Sequence, residues 1–386
     1  MSAPFDATAS FDVRLRTRLV FGAGSLDRLG ELAAELGFRR TLLVADPGLV
    51  AAGFASRAAE KLRASGVEAF AFHDFDANPD SEMARAAAER ARAHGVDSFV
   101  GLGGGSSLDC AKAANFLLTG GGAMEDYWGY GKAPRPLLPM IGVPTTAGTG
   151  SEAQSYALVS DARTHVKMAC GDPTAAFRVA VLDPLLTVSQ PAAVAAAAGY
   201  DALSHAVETF VCTRRNPFSE GFSREAWRLL EPYFARVIEE PTDVAARGAM
   251  LLGAHYAGIA IEASMLGAAH ACANPLTARY GTVHGVAIAL MLPSVCRWNG
   301  VAASARYEEL LRLAGRAPGS DPAAALADHL AGLGATAGLP GRLRAMNIPG
   351  EDLQTLAADA AVQWTGRFNP RPFDAIGALD LYRAAW

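Results

Sequence analysis

The stretch VDSFVGLGGGSSLDCAKAANFLL, Val96 to Leu118, contains the change of period that decides the fold. Its first part, VDSFVGL, is a short apolar run that reads as a strand. Its last part, SSLDCAKAANFLL, sets small and apolar residues at helical spacing and reads as a helix. Gly103, Gly104 and Gly105 join the two. A strand entering a helix through a glycine-rich turn is half of a βαβ unit.

The same alternation extends in both directions. Upstream, TLLVADPG (41–48) predicts a strand ending in a turn, and AAGFASRAAEKLRASG (51–66) a helix closed by Gly66. VEAFAFHDF (67–75) predicts a second strand, and SEMARAAAERARAHG (81–95) a helix with a serine start and a glycine stop. Downstream, LLPMIGVPTT (137–146) is a further strand, EAQSYALVSD and THVKMACGD a hairpin, and RVAVLD (178–183) a last buried strand. This order predicts a parallel sheet with helices packed on it.

After Asp183-Pro184 the texture becomes helical. PAAVAAAAGYDALSHAVETFV (191–211), EGFSREAWRLLEPYFARVIE (220–239) and AARGAMLLGAHYAGIAIEASML (245–266) all carry helical spacing. The expected organisation is an α/β domain over 1–188 and an all-helical domain over 189–386. A length of 386 residues suits two domains. A cleft between such domains is an expected place for a ligand.

Composition excludes several classes. With 51% hydrophobic and 19% charged residues, the chain has material for a core and no signature of global disorder. The formal charge of −5, with no Lys/Arg run longer than two, argues against a nucleic-acid partner. Five scattered cysteines, Cys110, Cys170, Cys212, Cys272 and Cys296, form no CxxC pair. Reduced thiols in the cytoplasm are the expectation. The N-terminus MSAPFDATASFDVRLRTR has no apolar leader core, and no uninterrupted apolar run reaches 18 residues, so no membrane span is expected.

Two loops suggest a nucleotide. In Gly101–Ser107 the glycines let the backbone approach a phosphate, and the following helix start offers free N–H groups. The spacing narrowly misses GxGxxG, because Ser106 stands at the last glycine position. The plain alternative is a tight turn. PTTAGTGSE (144–152) is a second loop after a strand, dense in hydroxyls and glycines. Two loops at the carboxyl ends of parallel strands are where an open α/β sheet binds its ligand. Asp46 ends the first strand; it could hold an adenosine ribose and repel the 2′-phosphate of NADP, or simply start a turn.

A second set of residues suggests a metal. Asp201 and His205, four apart on a predicted helix, face the same way, as metal ligands or as an ion pair. His270 and His284 lie 14 apart. On one straight helix they would be roughly 21 Å apart, whereas donors on one ion sit about 2.1 Å from it. The chain must fold back, and Pro275 and Gly281 offer the break. One carboxylate with three imidazoles suits Fe²⁺ or Zn²⁺. Such an ion would polarise a carbonyl or an alcohol, and a neighbouring nicotinamide would exchange hydride. His255 reads as core or as a support to the ligands; His73, His94, His165 and His329 are assigned no role.

In order and spacing, GLGGGSSLDCAKA, PTTAGTGSE, VLDPLLT, GYDALSHAVETF and the GAAH…HG segment resemble the iron-containing (group III) alcohol dehydrogenase family. The likeness runs from FGAGSLDRL to FNPRP, nearly the whole chain. It implies a Rossmann-like NAD-binding domain and an all-α domain, the arrangement shared with dehydroquinate synthase. It implies a metal on Asp201, His205, His270 and His284. It also implies an NAD site lined by Asp46, Asn78, Gly103, Gly104, Gly105, Ser106, Asp109, Thr145, Thr146, Thr149 and Lys167. His270 and Asn274 would stand at the reacting centre. Many members carry at position 274 a histidine that relays the alcohol proton; Asn cannot titrate near neutrality. The resemblance implies NAD with Fe²⁺ or Zn²⁺, a small alcohol or aldehyde substrate, and a homodimer or larger homo-oligomer. A lyase or cyclase of the dehydroquinate synthase type, or a silent metal- or nucleotide-binding homologue, are the alternatives. The scarcity of basic residues near the motifs disfavours the lyase. Arg279 reads as structural before substrate-binding, and Cys272 as core.

Overall fold

The computed structural model describes residues 10–75 and 78–386. The start of the stretch read for a leader, residues 1–9, therefore lies outside the described residues. The chain forms two compact units, residues 14–190 and residues 191–386, the second joined by the described residues before Arg14.

The first unit is α/β. Its elements are β1 (Arg18–Phe21), α1 (Leu29–Glu35), β2 (Arg40–Ala45), α2 (Pro47–Ala51), α3 (Phe54–Ala64), β3 (Glu68–Phe72), α4 (Ser81–Ala93), β4 (Ser98–Gly103), α5 (Gly105–Gly120), β5 (Gly129–Tyr130), β6 (Met140–Pro144), β7 (Tyr156–Ser160), β8 (Lys167–Gly171) and β9 (Val179–Leu182). Six strands make one sheet in the order β1-β9-β6-β4-β2-β3, and every pairing in it is parallel. The inner strands β4, β6 and β9 are buried at every residue, as a sheet covered on both faces requires. One layer of core packs α4 and α5 residues such as Ala87, Ala88 and Phe116 against Leu42 and Phe99. The other packs α1 and α3 residues such as Leu29, Leu32 and Leu62 against Leu43 and Val100. Each buried aliphatic side chain contributes roughly 1.5–3 kcal/mol.

Several details depart from the local reading. β1, a four-residue edge strand, carries too short a pattern to be read from sequence. The 41–48 strand does not end in a plain turn: Asp46 caps the short helix α2, and Gly53 separates it from α3. Asp80, not Ser81, caps α4. The 152–172 hairpin pairs β7 with β8 as expected, but in a separate three-stranded sheet with β5.

The second unit is helical: α6 (Ala192–Val211), α7 (Pro217–Glu239), α8 (Val244–Ala263), α9 (Ala268–Tyr280), α10 (His284–Leu313), α11 (Pro322–Thr336), α12 (Leu353–Ala361) and α13 (Ala375–Ala385). Tyr200, Phe210, Trp227, Phe234, Tyr307 and Tyr382 are among its fully buried side chains. α8 and α10 are long and apolar enough to cross a bilayer by length and composition alone, yet 72% and 56% of their apolar windows are buried inside the protein. Their apolarity serves the core.

Candidate functional site

α6 runs through the interior of the helical unit, and Asp201 and His205 face the same way one turn apart, each 4% exposed. Asp201 Oδ1 is the hub. His205 Nε2 lies 3.4 Å from it, His270 Nε2 3.5 Å and His284 Nε2 3.7 Å. The Nε2 atoms of His205 and His270 are 3.1 Å apart. Donors placed tetrahedrally at about 2.1 Å from one ion are about 3.4 Å from each other. Asp201 Oδ1 is buried with no well-aligned hydrogen bond among the described residues, an expensive arrangement unless a cation offsets it. Asp201, His270 and His284 each place a donor atom within 4.8 Å of the others, with His205 beside Asp201 and His270, so the residues present fit a divalent ion. Burial pushes the Asp201 pKa up, but the surrounding imidazoles, His205 first, pull it well below the carboxylate range.

The late histidines arrive by a fold-back. α9 carries His270 near its start and ends at Gly281, whose φ of +64° is a left-handed conformation suited to glycine. His284 then opens α10. Of the two residues that offered the break, Gly281 makes it; Pro275 lies inside α9. Proline removes one N–H bond there, and burial of Ala268–Ala273, Pro275 and Leu276 outweighs that local loss. Gly285 explains the His-Gly pair: a side chain on it would overlap the carbonyl oxygen of Ala197, one turn before Asp201. α10 can thus start directly against α6. His284, at 22% side-chain exposure, is the accessible edge of the set.

Sequence reasoning missed Glu208. It is 3% exposed and sits three residues after His205 on α6. Its Oε2 accepts from His270 Nδ1 at 2.5 Å, and its Oε1 from the Ala269 N–H at 2.7 Å. A carboxylate on Nδ1 keeps a proton there and leaves Nε2, which faces Asp201, as the ring atom that would bind an ion. Burial opposes charge on His270, yet Glu208 and Asp201 raise its pKa to about 9. The signal was available: a carboxylate on the Asp201–His205 face of an otherwise apolar helix.

The glycine-rich loop lies at the carboxyl ends of adjacent parallel strands. β3 and β4 flank β2 on opposite sides, so the chain reverses its winding at the β2–β4 gap, where an open α/β sheet holds its ligand. Asp46 and Gly103 border that gap. Asp46 Oδ1 accepts from the Leu49 N–H at 3.2 Å and Oδ2 from Ser107 Oγ at 3.4 Å. The Asn78 N–H donates to Ser106 Oγ at 3.0 Å. The Thr145 N–H donates to the Gly103 carbonyl at 3.0 Å. Thr146 and Thr149 close on the glycines: a Cβ on Gly104 would lie 3.3 Å from Thr146 Oγ1, and one on Gly105 2.7 Å from Thr149 Cγ2. Backbone N–H groups without side chains over them fit a pyrophosphate.

Asp109 and Lys167 stand elsewhere. Asp109 is buried, its pKa raised by desolvation, and accepts from Ser151 Oγ at 2.7 Å. Lys112, passed over in the sequence, is fully buried and donates to the carbonyls of Ser151, Gln154 and Tyr156 at 2.7–2.9 Å. The pair ties the 149–156 loop to α5. Lys167 begins β8, paired opposite Ser160. Among the remaining candidates, Asn274 Nδ2 donates to Gln363 Oε1 at 3.0 Å. Arg279 pairs with Asp359 at 2.5 Å on the surface, and Cys272 is core. His255 is buried in α8.

Known proteins match along the same lines. Residues 16–184 match the family model described as iron-containing alcohol dehydrogenase, and residues 195–386 the model of that family's C-terminal region. The chain is 30% identical over 356 residues to the NAD-dependent methanol dehydrogenase of Bacillus methanolicus, covering 91% of this chain and 93% of that one. Its fold matches a crystal structure of 1,3-propanediol oxidoreductase with a TM-score of 0.95 at 30% identity, covering 98% of this chain and 100% of the other. A sulfoacetaldehyde reductase from Bifidobacterium kashiwanohense, solved in complex with NAD+, matches with a TM-score of 0.88 at 28% identity, over 98% and 99% of the two chains. Matched in both halves and over nearly its whole length, the chain belongs to the iron-containing alcohol dehydrogenase family and is an alcohol oxidoreductase.

Proposed function

We propose that the chain is an NAD-dependent, divalent-metal-dependent alcohol dehydrogenase or aldehyde reductase acting on a small alcohol or aldehyde. The observation that carries this is the convergence of three imidazole Nε2 atoms on Asp201 Oδ1. Asp201, His205, His270 and His284 would hold Fe²⁺ or Zn²⁺, a nitrogen-rich set that suits either. When bound, the ion polarises the substrate C–O bond and the nicotinamide takes or gives the hydride. Glu208 keeps His270 oriented through Nδ1. Asn274, bonded to Gln363, orients but does not relay a proton.

In this reading residues 1–188 bind NAD and 189–386 the metal. The Gly103–Ser106 backbone would receive the pyrophosphate, with Asn78, Thr145, Thr146 and Thr149 around it; Asp109 and Lys167 belong to the proposed site without touching the glycines. Asp46 supports NAD over NADP, since its carboxylate beside Gly103 repels a 2′-phosphate. The five cysteines, all buried free thiols, suit a cytoplasmic setting. Self-association into a homodimer or larger homo-oligomer follows the family's habit, and sedimentation measures it. The deciding assay strips metal with a chelator, restores Fe²⁺ or Zn²⁺, and follows NADH and NADPH oxidation with a panel of short aldehydes. Turnover that needs the metal and prefers NADH is expected; no oxidation under any loading rejects the reading.

A further inference from the structure

The segment FNPRP, Phe368 to Pro372, reaches the start of the helix that carries His270. Asn369 is 5% exposed, and its Oδ1 accepts from the Ala268 N–H at 3.2 Å. Ala268 opens α9, two residues before His270. The next N–H, of Ala269, is taken by Glu208. A helix start leaves its first N–H groups without partners inside the helix, and Gly267, at the capping position, has no side chain to serve them. Two residues from distant parts of the chain serve them instead. Gly267 makes room for both: a Cβ there would lie 2.9 Å from Asn369 Oδ1 and 3.0 Å from Glu208 Oε1.

Asn369 is itself held on every polar atom. Its Nδ2 donates to Asn299 Oδ1 at 2.7 Å and to the Arg371 carbonyl at 2.8 Å, and Asn299 Nδ2 donates back to its Oδ1 at 3.0 Å. Asn299 is 1% exposed on α10, the helix that His284 opens. Arg371 anchors the segment by donating to the Trp298 carbonyl at 2.8 Å, with its guanidinium 3.9 Å from the Trp298 ring centroid.

We infer that Asn369, locked by Asn299, is a positioning residue for the metal ligand His270. It sets the start of α9 so that His270 Nε2 meets the other donors. The inference rests on reading Asp201, His205, His270 and His284 as ligands. Metal–nitrogen bonds of about 2.1 Å tolerate little displacement, and removing an outer partner of a ligand typically weakens metal binding about 10- to 100-fold.

The test uses the full chain, stripped of metal and titrated with Co²⁺ against a chelating dye. The Co²⁺ visible spectrum reports ligand geometry, and thermal unfolding of the metal-free protein reports the fold. Asn369→Ala, one step further from the ligand than Glu208, is expected to weaken Co²⁺ binding about tenfold, the lower end for a group that touches a ligand directly, and to shift the spectrum. Gly267→Ala should act in the same direction with both capping residues still present, and Asn299→Ala more weakly. Parent-like affinity and spectrum in Asn369→Ala, even with a lower metal-free melting temperature, overturn the inference and leave a purely structural asparagine. If Asn369→Ala does not fold, Gly267→Ala and Asn299→Ala decide by the same criteria. Asp201→Ala separates the two levels. If it binds Co²⁺ like the parent, the ligand set is wrong and the inference falls with it. If it loses Co²⁺ while Asn369→Ala retains parent behaviour, only the positioning role is wrong.

Discussion

The glycine-rich loop and the donor cluster are built on opposite plans. The loop is made of absence: Gly104 and Gly105 leave out side chains so that backbone N–H groups and two threonines form a surface. Its parts are near neighbours in sequence or sit on adjacent strands. The cluster is made of presence, with four donors drawn from α6, α9 and α10 and supported by Glu208 and Asn369. A backbone site needs only local geometry and so is chemically unspecific; many loops could serve. A convergent side-chain site needs tertiary structure, and its coincidence of donors is correspondingly hard to explain by packing alone.

That contrast can be broken experimentally. Asp201→Ala removes the hub of the cluster and should lower kcat/KM by roughly a thousandfold, as expected for several kcal/mol of lost stabilisation, with NAD affinity retained. Steady-state kinetics and metal analysis measure both; an active, metal-free variant would show that the cluster is not the reacting centre. Glu208→Gln keeps the shape but loses the charge on His270 Nδ1, and metal affinity should drop about 10- to 100-fold. A chelator competition that returns the parent value would reduce Glu208 to a helix cap. Gly105→Ala places a Cβ 2.7 Å from Thr149 Cγ2 and should weaken NAD binding about tenfold, within the usual cost of overpacking. Metal content should not change, and calorimetry that finds NAD affinity intact would remove the loop from the nucleotide site. The smallest effect is expected at Asn274. Because an amide does not titrate, Asn274→Ala and the parent should share one pH profile of turnover; a pKa that vanishes on substitution would assign Asn274 a part in a proton path.

Much of this was legible before any coordinates. The strand-to-helix change in Val96–Leu118 repeats through the first unit, and hydrophobic period is a local property. The i, i+4 relation of Asp201 and His205 is equally local. What failed were features decided by competition. Pro275 should end a helix on propensity alone, yet tertiary burial carries α9 through it to Gly281. The 152–172 hairpin gave no sign of leaving the main sheet for a partner at Gly129–Tyr130.

By itself, then, the sequence determined the order of elements, the two textures of the chain, and the residue types able to bind phosphate and metal. Each depends on periodicity or on the chemistry of single side chains, which act over a few residues. Tertiary structure alone decided which of those residues meet. Only it could bring His284 to Asp201 across the Gly281 break, set Glu208 behind His270, and bring Asn369 to the first turn of α9. These contacts join segments tens to more than a hundred residues apart, and their positions are set by the packing of whole helices, which no local pattern records.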